Sequence, residues 1–183
     1  MTCVVGIVQN GKVYMGADSA SASGWTTRAS ETPKLFKRGP YMIGYTSSFR
    51  MGQILHHMVD LPEAEGEYTE AFMVTRFVEA IRAKFKELGF AKIDSNEETG
   101  GEFLVGVGGK LFHIESDFQV QSYPDGMFAV GCGCQYALGA MQAREYEDGP
   151  TRIYAGLRAA EYFSDGVSKP FVVLYGTVAD GGG

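Results

Sequence analysis

The stretch that most constrains the fold runs from Met1 to Asp18. Val4, Val5, Ile7 and Val8 form an apolar, β-branched run that begins almost at the first residue, and such side chains favour extended, half-buried backbone. Asn10-Gly11 follows, the pair best suited to a two-residue hairpin because both positions tolerate the positive φ of a type I′ turn. Val13, Tyr14 and Met15 then lead back to Gly16-Ala17-Asp18. A terminus built this way is expected to be held in a sheet rather than frayed. The chemical consequence concerns the second residue. Removal of Met1 would leave Thr2 with its hydroxyl and a free α-amine on one rigid strand, a nucleophile and a base in a single residue.

Further along, residues 19–32 are small and polar and predict a surface loop. A second hairpin is expected over Lys34–Lys37 and Tyr41–Thr46, turning at Arg38-Gly39-Pro40. Met51, Ile54, Leu55, Met58 and Val59 fall on or near one face of a helix predicted over 48–60, which Leu61-Pro62 breaks. Thr69-Glu70 starts a longer helix, with Met73, Phe77, Ile81, Phe85 and Leu88 recurring at helical spacing until Gly89. Residues 90–101 are polar and predict a loop.

The opening pattern then returns. Phe103–Val107 and Leu111–Ile114 flank Gly108-Gly109-Lys110, as the first two strands flank Asn10-Gly11-Lys12. Strands are expected over 118–121, 127–130 and 171–175. Helices are expected from Gly131-Cys132-Gly133-Cys134 to about residue 145, and from 148 to 163. Two hairpin-based, mainly antiparallel sheets packed face to face, with helix pairs outside, would bury these faces, giving an α+β, four-layer αββα sandwich.

At 183 residues, 45% hydrophobic and 21% charged, the chain reads as one globular domain over 1–183, with a loose glycine-rich tail at 179–183. A net charge of −6 without a Lys/Arg cluster argues against nucleic acid and anionic membrane surfaces as partners. There is no apolar run of the ~20 residues a membrane span needs, and no basic leader with a cleavage site. A cytoplasmic location is therefore expected. Cys3, Cys132 and Cys134 suggest no disulfide framework. The C-x-C pair lacks a second half, and His56, His57 and His113 have no ligand-like spacing, so neither metal nor cofactor is expected.

Several short motifs keep one spacing along the chain: Thr2, Gly16-Ala17-Asp18, Lys34, Ile43-Gly44 and Asp165-Gly166-Val167-Ser168. Each alone has an ordinary reading, such as a turn aspartate or a solvated lysine. In register together, they resemble the proteasome-type N-terminal-nucleophile (Ntn) hydrolases, the catalytic β-subunits of proteasomes and HslV. The resemblance covers most of the chain and implies the Ntn-hydrolase sandwich and a threonine-type endopeptidase.

By that resemblance Thr2, freed of Met1, is the nucleophile. A threonine hydroxyl needs a base to attack an amide, and an α-amine, ordinarily near pKa ~7.7–8, titrates close to working pH. Lys34 would hold that amine's pKa down and stabilise the hydroxyl as it loses its proton. Asp18 would keep Lys34 charged and aimed, and Gly44 N–H would form the oxyanion hole. Asp165 and Ser168 would orient the amine and a hydrolytic water. Cys132 stands where the family has a serine beside the amine, and a thiol is a weaker hydrogen-bonding partner.

Ser21, Thr32, Met42 and Thr46 would line the pocket for the side chain before the scissile bond. With no charge among them, small or medium apolar side chains are expected there. The implied partners are further copies in stacked rings, a polypeptide substrate and an ATP-dependent unfoldase. No long propeptide is expected, so an aminopeptidase would suffice to expose Thr2. Two other functions fit the same residues: an amidase acting on small acyl-amides, and a shell or scaffold subunit that keeps Met1.

Overall fold

The opening hairpin forms as its sequence dictates. In a computed structural model, which describes residues 1–23, 26–94 and 97–177, β1 (Val4–Gln9) and β2 (Lys12–Ala17) pair antiparallel. Asn10 and Gly11 turn between them at φ 52° and 70°. β1 also pairs with β12 (Met127–Val130), and β2 with β13 (Val172–Thr177), making a sheet of order β12-β1-β2-β13. β5 (Leu35–Arg38) and β6 (Tyr41–Tyr45) form the second predicted hairpin. β9 (Phe103–Val107), β10 (Lys110–Ile114) and the short β11 (Val120–Gln121) complete a second antiparallel sheet, of order β11-β10-β9-β6-β5.

Strand alternation sorts side chains onto two faces of each sheet. Val4, Val13, Met15, Leu35, Met42, Leu104 and Leu111 fill the space between the sheets. On the far side of the first sheet, Val5 and Ile7 meet Ala137 and Met141 of α4 (Cys134–Gln142) and Ile153, Leu157 and Ala160 of α5 (Gly149–Phe163). Beyond the second sheet, Tyr41, Ile43 and Phe103 meet Met51, Ile54 and Leu55 of α1 (Phe49–His57), and Ile81 and Phe85 of α3 (Val78–Glu87). The layers are therefore helices, sheet, sheet, helices, as expected. Glycine at position 44 allows the sheets to approach, since a Cβ there would lie 2.5 Å from Val4 Cγ1.

Several expectations need correction. Residues 19–32 are not all loop: β3 (Ala20–Ser23) pairs with β4 (Thr26–Ala29) in a separate two-stranded ribbon. Within 90–101, β7 (Lys92–Asp94) pairs with β8 (Glu97–Thr99). β4 and β7 are exposed throughout, so neither leaves a buried-face alternation in the sequence. α1 is shorter than predicted, with Ser48 as its N-cap. The long helix starts at the Thr69 cap as α2 (Glu70–Phe72) and passes through a π-helical turn, Met73–Phe77, into α3. α4 begins only at Cys134, which leaves Gly131-Cys132-Gly133 as the turn before it. The glycine-rich tail expected at 179–183 lies outside the described residues.

Candidate active site

Thr2 leads into β1 and is clamped by the turn before α4. Its carbonyl accepts the Gly133 N–H at 3.3 Å. Gly131, at φ 94°, comes so close that a Cβ would lie 2.3 Å from that same oxygen, so only glycine fits. Thr2 is 5% exposed, whereas Met1 is 59% exposed. Cys132 Sγ lies 3.4 Å from the Thr2 nitrogen, which donates to it, and 3.4 Å from Ser164 Oγ.

Asp18, at the end of β2, is the hub. Its Oδ1 accepts the Cys3 N–H at 2.9 Å, and its Oδ2 accepts the N–H of Ala20 at 2.8 Å and of Ser168 at 3.4 Å. Lys34 Nζ, just before β5, donates to both carboxylate oxygens, at 2.9 and 3.1 Å. The two side chains are almost fully enclosed, Asp18 at 1% and Lys34 at 2% exposure. A buried pair of this kind is costly to break from one side, because the survivor is left as an unpaired charge. Lys34 Nζ also donates to the Met1 carbonyl at 3.3 Å, and Thr2 Oγ1 hydrogen-bonds the same oxygen. Ammonium and hydroxyl thus converge on the carbonyl of the one peptide bond that masks the Thr2 amine.

A cleft of about 140 Å³ opens beside this cluster, lined by Met1, Thr2, Lys34, Ala20, Ala22 and the run Tyr45–Phe49. Of the four pocket residues expected, only Thr46 lines it. Ser21 alternates with Ala20 and Ala22 on β3, and Thr32 donates its N–H to Ser30 Oγ. Met42 is corrected outright: strand alternation turns it into the core between the sheets. Gly44 likewise sits inside the sheet, opposite Leu35 on β5 and Leu104 on β9, and does not line the cleft. The backbone that does reach the cleft is the turn entering α1, where Ser47 adopts φ 72° and Ser48 Oγ caps the helix through Arg50 N–H.

Ser168 joins the cluster through its backbone, donating its N–H to Asp18 and accepting the Ser19 N–H at 3.1 Å. Asp165 is exposed and makes no hydrogen bond to Thr2 or Cys132; Ser164 holds that place instead. Burial, reinforced by Asp18 and the other two cysteines, pushes the Cys3 thiol far up, leaving it protonated and unreactive. Among the described residues no three His, Cys, Asp or Glu side chains come together in a way that could hold a metal.

Two packed sheets between helix layers give the chain the fold of the proteasome-type Ntn hydrolases, as the solved structures it is similar to show. No protein-family model matches the sequence, and no curated protein does. Among solved structures, the chain is similar to BPH of Thiobacillus denitrificans, with 22% identity over 98% of this chain and all of that one at a TM-score of 0.83. The same protein in complex with epoxomicin aligns at 21% identity over 97% of this chain and 100% of that one, with a TM-score of 0.82. HslV of Trypanosoma brucei gives 17% identity over 96% and 99% of the two chains, with a TM-score of 0.70. At these identities the likeness is one of fold.

Proposed function

We propose that the protein is a threonine-type endopeptidase, with Thr2 as nucleophile once Met1 is removed. The observation that carries this reading is the convergence of Lys34 Nζ and Thr2 Oγ1 on the Met1 carbonyl, with Lys34 locked to buried Asp18. After Met1 leaves, the Thr2 amine is free to take the hydroxyl proton, and Lys34 stabilises the developing alkoxide. The oxyanion donor comes from the backbone of the Ser47–Phe49 turn rather than from Gly44. Cys132 and the Ser164 hydroxyl behind it orient the amine, while Asp165 and the Ser168 side chain act on the hydrolytic water. Ala20, Ala22, Thr46 and Phe49 fit a small or medium apolar side chain before the scissile bond.

The setting follows from the same reading. The enzyme assembles from copies of itself in stacked rings, receives polypeptide from an ATP-dependent unfoldase, and works in the cytoplasm, where the free thiols of Cys3, Cys132 and Cys134 stay reduced. No helix among the described residues is long and apolar enough to cross a membrane.

Intact mass before and after incubation with epoxomicin, the compound bound in the Thiobacillus structure, tests the chemistry. Loss of Met1 and one adduct per chain, abolished by Thr2→Ala, is the expected result. Retained Met1 with no adduct would overturn the enzyme in favour of a scaffold subunit. A parallel panel of peptides and small acyl-amides separates peptidase from amidase.

A further inference from the structure

The turn that lines the cleft is held from behind by a buried histidine that the chemistry above does not use. We propose that His113 and Glu102 are a pair of positioning residues that fix the Thr46–Ser47–Ser48 turn for catalysis; the inference rests on the function proposed above. Ser47 sits at φ 72°, a left-handed conformation that a serine adopts only when its surroundings enforce it. The enforcing group is the Glu102 main chain. Its carbonyl accepts the Thr46 N–H at 3.1 Å, and its N–H donates to Ser47 Oγ at 3.4 Å. One residue thus grips the turn at its left-handed position and at the residue before it.

Glu102 is gripped in turn. His113 Nε2, on the neighbouring β10, lies 2.9 Å from Glu102 Oε1, and the ring is 4% exposed. Its other nitrogen lies 3.4 Å from the Tyr123 hydroxyl, and its face packs on Phe128 with centroids 4.4 Å apart. Burial, then the neighbouring carboxylates of Glu115, Glu102 and Asp125, push the Tyr123 hydroxyl up. In the tautomer that carries its proton on Nε2, the ring accepts from that hydroxyl at Nδ1 and donates to the Glu102 carboxylate. An imidazole with polar partners at both ends and an aromatic ring packed on its face is a rigid strut running from β10 to Glu102, behind the turn that lines the cleft. Every other β10 side chain facing inward is apolar, so packing alone would be served as well by a residue needing no partners.

The experiment measures kcat and KM on a peptide substrate for the Met1-free enzyme and for His113→Phe, Glu102→Ala and Glu102→Gln, with melting temperatures of the same samples. His113→Phe and Glu102→Ala are expected to lower kcat by ~10- to 100-fold while KM changes by less than about 3-fold, because misplaced oxyanion donors weaken the transition state and spare the ground state. Glu102→Gln keeps an acceptor for Nε2–H and should restore most of the lost kcat. Should His113→Phe fail to fold, the half-exposed Glu102 carries the same comparison. A His113→Phe or Glu102→Ala enzyme with wild-type kcat overturns the pair's role even if it melts lower, as does a Glu102→Gln enzyme no faster than Glu102→Ala. If the wild type itself hydrolyses no peptide and takes no epoxomicin, the proposed function falls and this role with it.

Discussion

Replacing Asp18 by Asn and Lys34 by Met, singly and together, tests how the buried pair is held, and the structure makes the two single costs unequal. Lys34 has one anionic partner, Asp18, whereas Asp18 also accepts three backbone N–H groups, from Cys3, Ala20 and Ser168. Asp18→Asn leaves an enclosed ammonium facing a neutral amide, and that amide offers only one acceptor oxygen where the carboxylate offered two. Removing one member of a buried pair in this way costs ~3–5 kcal/mol. Lys34→Met keeps the unbranched stem and leaves the carboxylate with its three N–H donors. Hydrogen bonds to a charged group contribute ~1.5–3 kcal/mol each, so much of the charge remains compensated and the cost should be ~1–2 kcal/mol.

The double variant removes both charges and should lose less than the sum of the singles, with a coupling of ~1–3 kcal/mol. Guanidinium unfolding followed by circular dichroism supplies the three values, at one protein concentration because self-association would shift apparent stability. Equal costs for the two single variants, or strictly additive losses, would refute the account of Asp18 as an anion held by its own cage of amides.

Lys34→Ala should cost several orders of magnitude in peptide hydrolysis and Thr2→Ser should retain activity; a Lys34→Ala enzyme as fast as wild type would refute the proposed mechanism. Gly131→Ala forces a Cβ against the Thr2 carbonyl at φ 94°, so epoxomicin labelling should be lost, and an adduct formed at the wild-type rate would count against the clamp. His56, stacked between Phe36 and His57, has its pKa lowered by burial, then by His57 and Arg38. The unfolded chain therefore binds the extra proton more readily, and this part of the stability, present above the ordinary value near 6.5, is lost as pH falls below it. Melting curves between pH 7.5 and 5 should show a smaller acid loss for His56→Phe than for wild type; equal losses would exclude His56 as a source. Tyr45 keeps a buried hydroxyl with no hydrogen-bond partner among the described residues, so Tyr45→Phe should melt at or above the wild-type temperature, and a clear drop would reveal a partner.

What was legible in the sequence divides along physical lines. Hairpins marked by Asn10-Gly11 and Gly108-Gly109, and helices with buried stripes such as Ile81 and Phe85, carry their signal in every residue, so the layers could be assigned. Thr2, Asp18 and Lys34 were singled out only by the resemblance of several motifs in register, since each residue alone reads as an ordinary strand or turn position; the Asp18–Lys34 ion pair itself appears only in the fold. The place of Ser47 and its neighbours on the cleft was harder to read, because a turn that lines a site with its backbone leaves no side-chain signature, and Gly44 offered a more familiar motif. The available clue was Ser48, a serine directly before an amphipathic run, which marks a helix cap and hence a row of free N–H groups. Asp165 differs from its expected place in one respect: the α5 C-cap turns Ser164 toward Cys132 and leaves the Asp165 carboxylate in solvent, with no hydrogen bond to the Thr2 nitrogen. Glu102 and His113 lie 11 residues apart with nothing local to connect them. Only the pairing of β9 with β10, and of β6 with β9, brings a histidine on one strand behind a turn at the end of another. A role that acts through a neighbour's main chain is written in topology, and sequence spacing cannot display it.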